Sequence, residues 1–323
     1  MIDEDILTTS KSAPAEKRLN QGYEYREFLG PDAEGQSLLA YLSRRHRHSS
    51  ATEWEARIID GQVLIDSRHV APECLLRNGS TLIWRRPPWI EPDAPLSFSI
   101  LYEDRDLLAV AKPAGLPTLP GANFLQSTLL YQVRSYDPKA APLHRLGRWT
   151  SGIVLCARDR EARANLIRQW SAPHVVKRYR ALAAGCPDND EMNITMPIGT
   201  VRHALLGTLH AAVSNGKPAL SKMHVIARFD DSFLCDVYIT TGRPHQIRIH
   251  MAAVGYPLLG DPLFGIGGLP KPDSHALPGD PGYQLHAAEL SVRHPSNGHT
   301  LNITCEPPAI LRIKSRAEAG TIS

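Results

Sequence analysis

Three short basic segments carry side chains suited to holding a nucleic acid and working on one of its bases. They are "HRLGRWTSG" (144–152), "KRYRA" (177–181) and "TGRPHQIRIH" (241–250). Each sets Arg or Lys beside a hydroxyl, an aromatic ring or an imidazole. Chemistry on a base inside folded RNA needs phosphate clamps, a group to fill the stack and a flat ring beneath the extruded base. Arg145, Arg148, Lys177, Arg243 and Arg248 can supply clamps and Tyr179 a ring, with His144, Thr150 and His245 beside them. Any one of these alone reads as a solvated charge. Together, within residues 144–250, they favour one shared site.

The elements that must position them can be read from the pattern. "GQSLLAYLSRRH" places Leu38, Leu39, Tyr41 and Leu42 on one side of a short helix. "SSATEWEARIIDG" starts a second helix from a Ser/Thr cap, with Trp54 and Ile58 as an i,i+4 pair. "QVLID" and "STLIWRR" read as strands. "RRPPWIEPDAP" (85–95) holds four prolines and breaks helix and sheet alike. Beyond it, "LSFSILYEDRDLLAVAK" reads as a hairpin and Ile153–Ala157 as a buried strand. Residues 160–171 read as a helix capped by Asp159, and "VKRYRALAAG", "SKMHVIARF" and "FLCDVYIT" as strands. "RPHQIRIHMAAVG" reads as a helix with Ile247, Met251 and Val254 on one face and His245 and Arg248 on another. Gly265 to Gln284, rich in Gly and Pro, reads as a surface loop. The expected division is a disordered tail (1–22), a small module (23–86), a proline-rich linker (87–96), a larger domain (97–316) and a disordered tail (317–323).

Bulk properties narrow the class. With 323 residues, 42% hydrophobic and 21% charged, the chain can bury an ordinary core. A net charge of +3 does not by itself signal nucleic acid, so clusters such as "RRHRH" (44–48) and "RHALLGTLH" (202–210) matter more. The five cysteines are scattered without a C-x-x-C pair, as expected of reduced thiols. No apolar run approaches the roughly 20 residues of a membrane helix, and the acidic start is unlike a signal peptide. A cytoplasmic location is expected, with no membrane partner. A metal hydrolase is disfavoured, because His245 and His250 at i,i+5 face different sides of a helix and no third ligand is evident.

The same segments carry a resemblance. From "LLAVAKPAGLPTLPG" (107–121) through "HRLGRWTSGIVLCA", "KRYRALAAG" and "TGRPHQIRIHMAAVGYPLLGDPLFG" to "LHAAEL…HP" (285–295), the second domain resembles the RluA-type pseudouridine synthases. That family isomerises uridine to pseudouridine in ribosomal or transfer RNA. The first module resembles a small RNA-binding module found in a ribosomal small-subunit protein. The resemblance implies an α+β architecture. A small N-terminal α/β RNA-binding module precedes a larger mixed, mainly antiparallel β-sheet catalytic domain with flanking helices. It implies structured RNA as the partner and no cofactor or metal. It also assigns Tyr179 to the ring under the target base and Arg248 to the cation of the site. His144 and Arg145 match the first two positions of the family's "H-R-L-D" motif.

The fourth position of that motif, the nucleophilic aspartate, is Gly147 here. Detaching uracil, turning it and rejoining it through carbon uses that carboxylate in covalent catalysis; glycine has none to offer. Asp159 and Glu161 lie beyond a strand that moves about 3.3 Å per residue away. Four accounts stand at this point. The chain binds RNA without isomerising it, as an RNA-binding or ribosome-assembly factor; or a carboxylate arrives from elsewhere, such as Asp236 or Asp261; or a water or unusual backbone takes part; or this position was altered. If Gly147 has emptied the site, an aspartate restored at 147 should create or raise isomerisation, whereas no gain in an already active protein would mean that another residue has taken the role. Arg248, left without its usual partner, calls for another acid or a bound anion, although Asp261 itself reads as an Asp-Pro turn.

Overall fold

The computed structural model describes residues 19–272 and 274–313. Residues 1–18 and 314–323, which include most of the expected N-terminal tail and all of the C-terminal one, lie outside the described residues. The chain forms two compact units, one ending at Glu91 and one beginning at Pro92.

The first unit runs β1 (Tyr23–Phe28), α1 (Leu38–Arg45), α2 (Ala51–Ile59), β2 (Val63–Ile65), β3 (Arg68–His69) and β4 (Thr81–Arg86). Its sheet order is β1-β4-β2-β3, antiparallel throughout. Ser37 caps α1 by accepting from the Ala40 N–H, and Ser50 and Glu53 form a reciprocal capping box at α2. Leu38, Tyr41 and Leu42 of α1 and Trp54 and Ile58 of α2 bury one stripe each against Val63 and Leu82 of the sheet. Ahead of β1, the Asn20 carboxamide accepts from the N–H groups of Gly22 and Trp89.

The second unit starts with β5 (Ser99–Glu103), β6 (Leu107–Lys112), α3 (Leu129–Tyr136), β7 (Ala141–Pro142) and β8 (Ser151–Ala157). After α4 (Arg160–Gln169) come β9 (Val176–Ala184), β10 (Glu191–Ile194), β11 (Ile198–His203) and β12 (Gly207–Ala212). The last elements are β13 (Ser221–Arg228), β14 (Ser232–Ile239), α5 (Gln246–Ala253), β15 (Leu285–Arg293) and β16 (Thr300–Thr304). Among the described residues a ten-stranded sheet runs β10-β13-β14-β9-β15-β8-β6-β5, with β16 on β15 and β7 on β8. β11 and β12 form a separate hairpin. The one parallel pair described is β15 with β8.

Helices cover both faces of one half of this sheet, which explains the unbroken apolar run of β8. Ile153, Leu155 and Ala157 pack with Ala162 and Leu166 of α4, while Val154 and Cys156 pack with Leu129 and Val133 of α3. On the other half, Ile247 and Met251 of α5 pack on Ala181 and Ala183 of β9 and on Met223 and Phe233. The opposite face of β9 carries Arg178 and Arg180, both paired to Asp236 of β14. This is the α+β architecture expected, and among the described residues no helix is long and apolar enough to cross a membrane.

The seam between β8 and β15 is tight at one residue. Gly152 has φ +104°, and a Cβ there would stand 2.2 Å from the Ala287 carbonyl oxygen. Gly152→Ala therefore combines backbone strain of about 1–3 kcal/mol with a clash against backbone that cannot swing away. Thermal unfolding should show a midpoint lowered by about 10 °C or more, each kcal/mol being worth about 2–4 °C at this size. A variant melting with the wild type would disprove the close approach.

Candidate active site

The 144–152 segment is shaped by its neighbours before it meets any ligand. A turn closes from the Thr150 N–H to the Gly147 carbonyl at 3.1 Å. The Lys112 ammonium donates to the carbonyls of Pro113, Leu116 and Arg148 at 2.8, 2.7 and 3.0 Å. Burial pushes that ammonium down to about 7. Arg148 donates from Nε to the Gly115 carbonyl, and Thr118 exchanges hydrogen bonds with the backbone of Leu146. Gly147 is thus presented at a fixed place by two clasped loops.

The start of α5 is held just as firmly. The Gln246 carboxamide donates to the Leu220 carbonyl and Ser221 Oγ and accepts from Thr241 Oγ1 and the Arg243 N–H. Beside this network His245 takes a left-handed conformation, φ +56°, immediately before the helix. Such strain in a residue other than glycine often accompanies a functional site.

Between these segments lies a cavity of about 320 Å³, the size of a small-ligand site. Arg145, Gly147, Thr150, Tyr179, Arg243, His245 and Arg248 all line it, so seven of the residues singled out from the sequence meet. Three others do not line it. His144 accepts from the Leu155 N–H through Nε2 and stacks on Trp170, and burial with the Lys177 charge pushes its pKa down to about 4. Lys177 donates to the carbonyls of Trp170 and Thr240. Arg148 spends its guanidinium on the carbonyls of Gly115 and Asp93.

The cavity's electrostatics rest on a buried ion pair. Arg248, 2% exposed, meets Asp261 in a fork, Nε to Oδ2 at 2.7 Å and Nη2 to Oδ1 at 2.8 Å, and donates from Nη1 to the Pro278 carbonyl. Its cation also lies 4.1 Å from the Tyr283 ring centroid. Burial opposes the Asp261 charge, but Arg248 and the N–H groups of Phe264 and Leu263 outweigh it and hold the carboxyl below its ordinary value. Burial, with Arg248 and Arg145 nearby, pushes His245 down to about 4, leaving it neutral. Burial raises the Tyr179 phenol to about 12. Its hydroxyl has no hydrogen-bond partner among the described residues. Arg145 is exposed at the rim and likewise forms no hydrogen bond or ion pair with them.

No Asp or Glu lines this cavity among the described residues. Asp236 is engaged by Arg178 and Arg180 on the sheet, and Asp261 by Arg248. The sequence reading missed Tyr283, which lines the cavity at 3% exposure. The Gly265–Gln284 stretch is not simply a surface loop: Trp149 donates to its Gly279 carbonyl, Arg248 to its Pro278 carbonyl, and Tyr283 packs in the core. The available signal was a lone aromatic two residues before the apolar strand that opens at Leu285. His250 is occupied by Ser221 Oγ and the Met196 carbonyl. The grouping of described residues close enough to share an ion, Asp104, Asp106 and His294, does not line the cavity.

Comparisons place this chain among known proteins. Residues 106–253 match the family model described as RNA pseudouridylate synthase. An uncharacterized RNA pseudouridine synthase of Synechocystis is 41% identical, the alignment covering 85% of this chain and 95% of the relative. RNA pseudouridine synthase 5 of rice, Oryza sativa subsp. japonica, is 38% identical over 93% of this chain and 90% of its own. The ribosomal large subunit pseudouridine synthase D of Pseudomonas aeruginosa is 34% identical over 81% and 84%. In fold, human RNA pseudouridylate synthase domain containing 1 superposes with a TM-score of 0.53 at 24% identity, covering 71% of this chain and 96% of its own.

Removing one member of a buried pair strands the other. Asp261→Asn should lower the unfolding free energy by about 3–5 kcal/mol at neutral pH, measured by denaturant titration. A depressed carboxyl pKa contributes stability above the ordinary carboxylate value, and that contribution is lost as pH falls through the folded-state value. The gap between variant and wild type should therefore close below about pH 4. Equal stabilities at neutral pH would show that the pair carries no such weight.

Proposed function

Because the chain belongs to the RluA-type RNA pseudouridine synthase family, we propose that the cavity takes up a uridine flipped out of ribosomal or transfer RNA and isomerises it there. The observation that carries this reading is the convergence of Tyr179, Arg248, Thr150 and Gly147 with unpartnered Arg145 around one cavity of nucleobase scale. Relatives named as synthases support turnover over binding alone.

Each residue then has a role its surroundings allow. The Tyr179 ring supplies a stacking face, and its unpartnered hydroxyl can meet the base edge. Arg145 and Arg243 flank the mouth, where a phosphate passing over the cavity would meet positive charge. Neutral His245 offers a hydrogen bond without adding a second buried cation beside Arg248. Arg248, saturated by Asp261 and Pro278, sets the potential of the site instead of gripping phosphate. In the first unit, exposed Arg44 and Arg45 in the last turn of α1, with Arg47 just beyond it, suit sequence-independent RNA contacts. The name of the Pseudomonas relative makes large-subunit ribosomal RNA the first substrate to try.

Isomerisation exchanges the uridine C5 proton, so transcripts carrying [5-³H]uridine should release tritium when incubated with the protein. No release from ribosomal or transfer RNA transcripts would overturn this reading. Tyr179→Ala should slow release by about tenfold to a hundredfold, in line with ~1–3 kcal/mol for one base–aromatic stack. Arg145→Ala should weaken RNA binding and reduce the slope of log affinity against log salt by about one; an unchanged slope would remove Arg145 from the phosphate path.

A further inference from the structure

Gly147 has a reason to be glycine that lies outside its own backbone. Its φ is not in the left-handed region, so the turn itself admits any residue. What excludes a side chain is Tyr283: a Cβ at 147 would stand 2.9 Å from the Tyr283 hydroxyl oxygen, with Thr150 Oγ1 next at 3.4 Å. The phenol is no loose end that could step aside. Its ring is in the core cluster, 3% exposed, with the Arg248 guanidinium against it.

The hydroxyl is also free to act. Its one hydrogen-bond partner among the described residues is Thr150 Oγ1 at 3.4 Å, long beside the ~2.7–2.8 Å of a good O–H···O bond. The residue lines a cavity in which no described carboxylate stands. Two aromatic hydroxyls therefore border the cavity, and Tyr283 is the one set beside position 147, with the Arg248 guanidinium on its ring.

We propose that Tyr283 is a catalytic residue, its hydroxyl meeting the uridine at the place a side chain at position 147 would occupy, with Gly147 as the residue that admits it. The inference rests on the isomerase reading above. The C1′–N1 bond breaks with its electron pair going to the uracil, which takes the phenolic proton of Tyr283. The phenolate left behind faces the electron-poor C1′. Once the base has turned, C5 supplies the electron pair of the new C1′–C5 bond, and the C5 proton returns to the phenolate. One proton leaves the phenol and one returns, so the net change is transfer of hydrogen from C5 to N1, with no other reactant.

The test uses the full chain and unmodified ribosomal and transfer RNA transcripts labelled with [5-³H]uridine. Tyr283→Phe keeps the ring under Arg248 and should lower kcat by about a hundredfold or more, with KM, RNA affinity and melting temperature unchanged. Gly147→Asp, against the expectation from sequence, should also lose activity, because its Cβ collides with the hydroxyl. The double variant Gly147→Asp/Tyr283→Phe removes the colliding atom, leaving only the 3.4 Å contact to Thr150, and should turn over faster than either single variant. Tyr283→Phe as active as wild type overturns the proposal. So does a loss matched by lost stability or affinity, or a double variant no better than the singles. Wild type that releases no tritium is a different failure, that of the isomerase reading itself.

Discussion

A guanidinium almost out of contact with water sets the terms for everything around it. Leaving Arg248 unpaired at such depth would cost several kcal/mol, and the structure meets that demand from three directions. The fork to Asp261 ties α5 to the turn after Leu258, and Nη1 ties it to the 277–284 segment through Pro278. Its faces are covered by Phe264 and Tyr283. One buried charge thus fixes the helix start, a turn and a long loop in mutual register. The cavity wall is largely a consequence of satisfying it.

Much of this was legible in the chain because local chemistry and tertiary role agree there. Ser50 and Glu53 announce a helix start by their own side chains, and the run Ile153–Ala157 is apolar on both faces because helices cover both. The need for an acid near Arg248 also followed from the cost of an unpaired buried charge. Its identity was obscured by the double use of Asp261, which accepts from the N–H groups of Leu263 and Phe264 as a turn residue would while holding the guanidinium. Sequence spacing revealed the first use and concealed the second.

What stayed hidden depends on contacts between distant segments. Basic residues that look alike in the sequence separate in the fold: Arg178 and Arg180 brace strands, Lys177 and His144 stay with the backbone, and Arg145 alone is left without a described partner. α3 went unread because "LLYQVRSY" lacks a long apolar period, and its cap, Thr128, lies in a stretch dominated by turns. The basic stretch 202–210 proves to be part of the β11–β12 hairpin. Tyr283 acquires meaning only when Gly147, far off in sequence, is brought against it. A glycine read by itself signals a missing group; read beside Tyr283, it is one half of a fitted pair.

The place of β15 has a consequence for how the sheet closes. It lies between β9 and β8, yet it is nearly the last strand of the chain. Without β15, the sheet order leaves β5-β6-β8 and β9-β14-β13 as two separate groups of strands, each ending in an edge of unpaired N–H and C=O groups. Arg145 and Gly147 lead into β8 of one group, Tyr179 stands on β9 of the other, and Tyr283 directly precedes β15. Leu285–Arg293 pairs with both edges and joins the two groups beside the cavity. Chain order thus leaves the closing of the sheet, and of the cavity wall beside it, to one of the last strands.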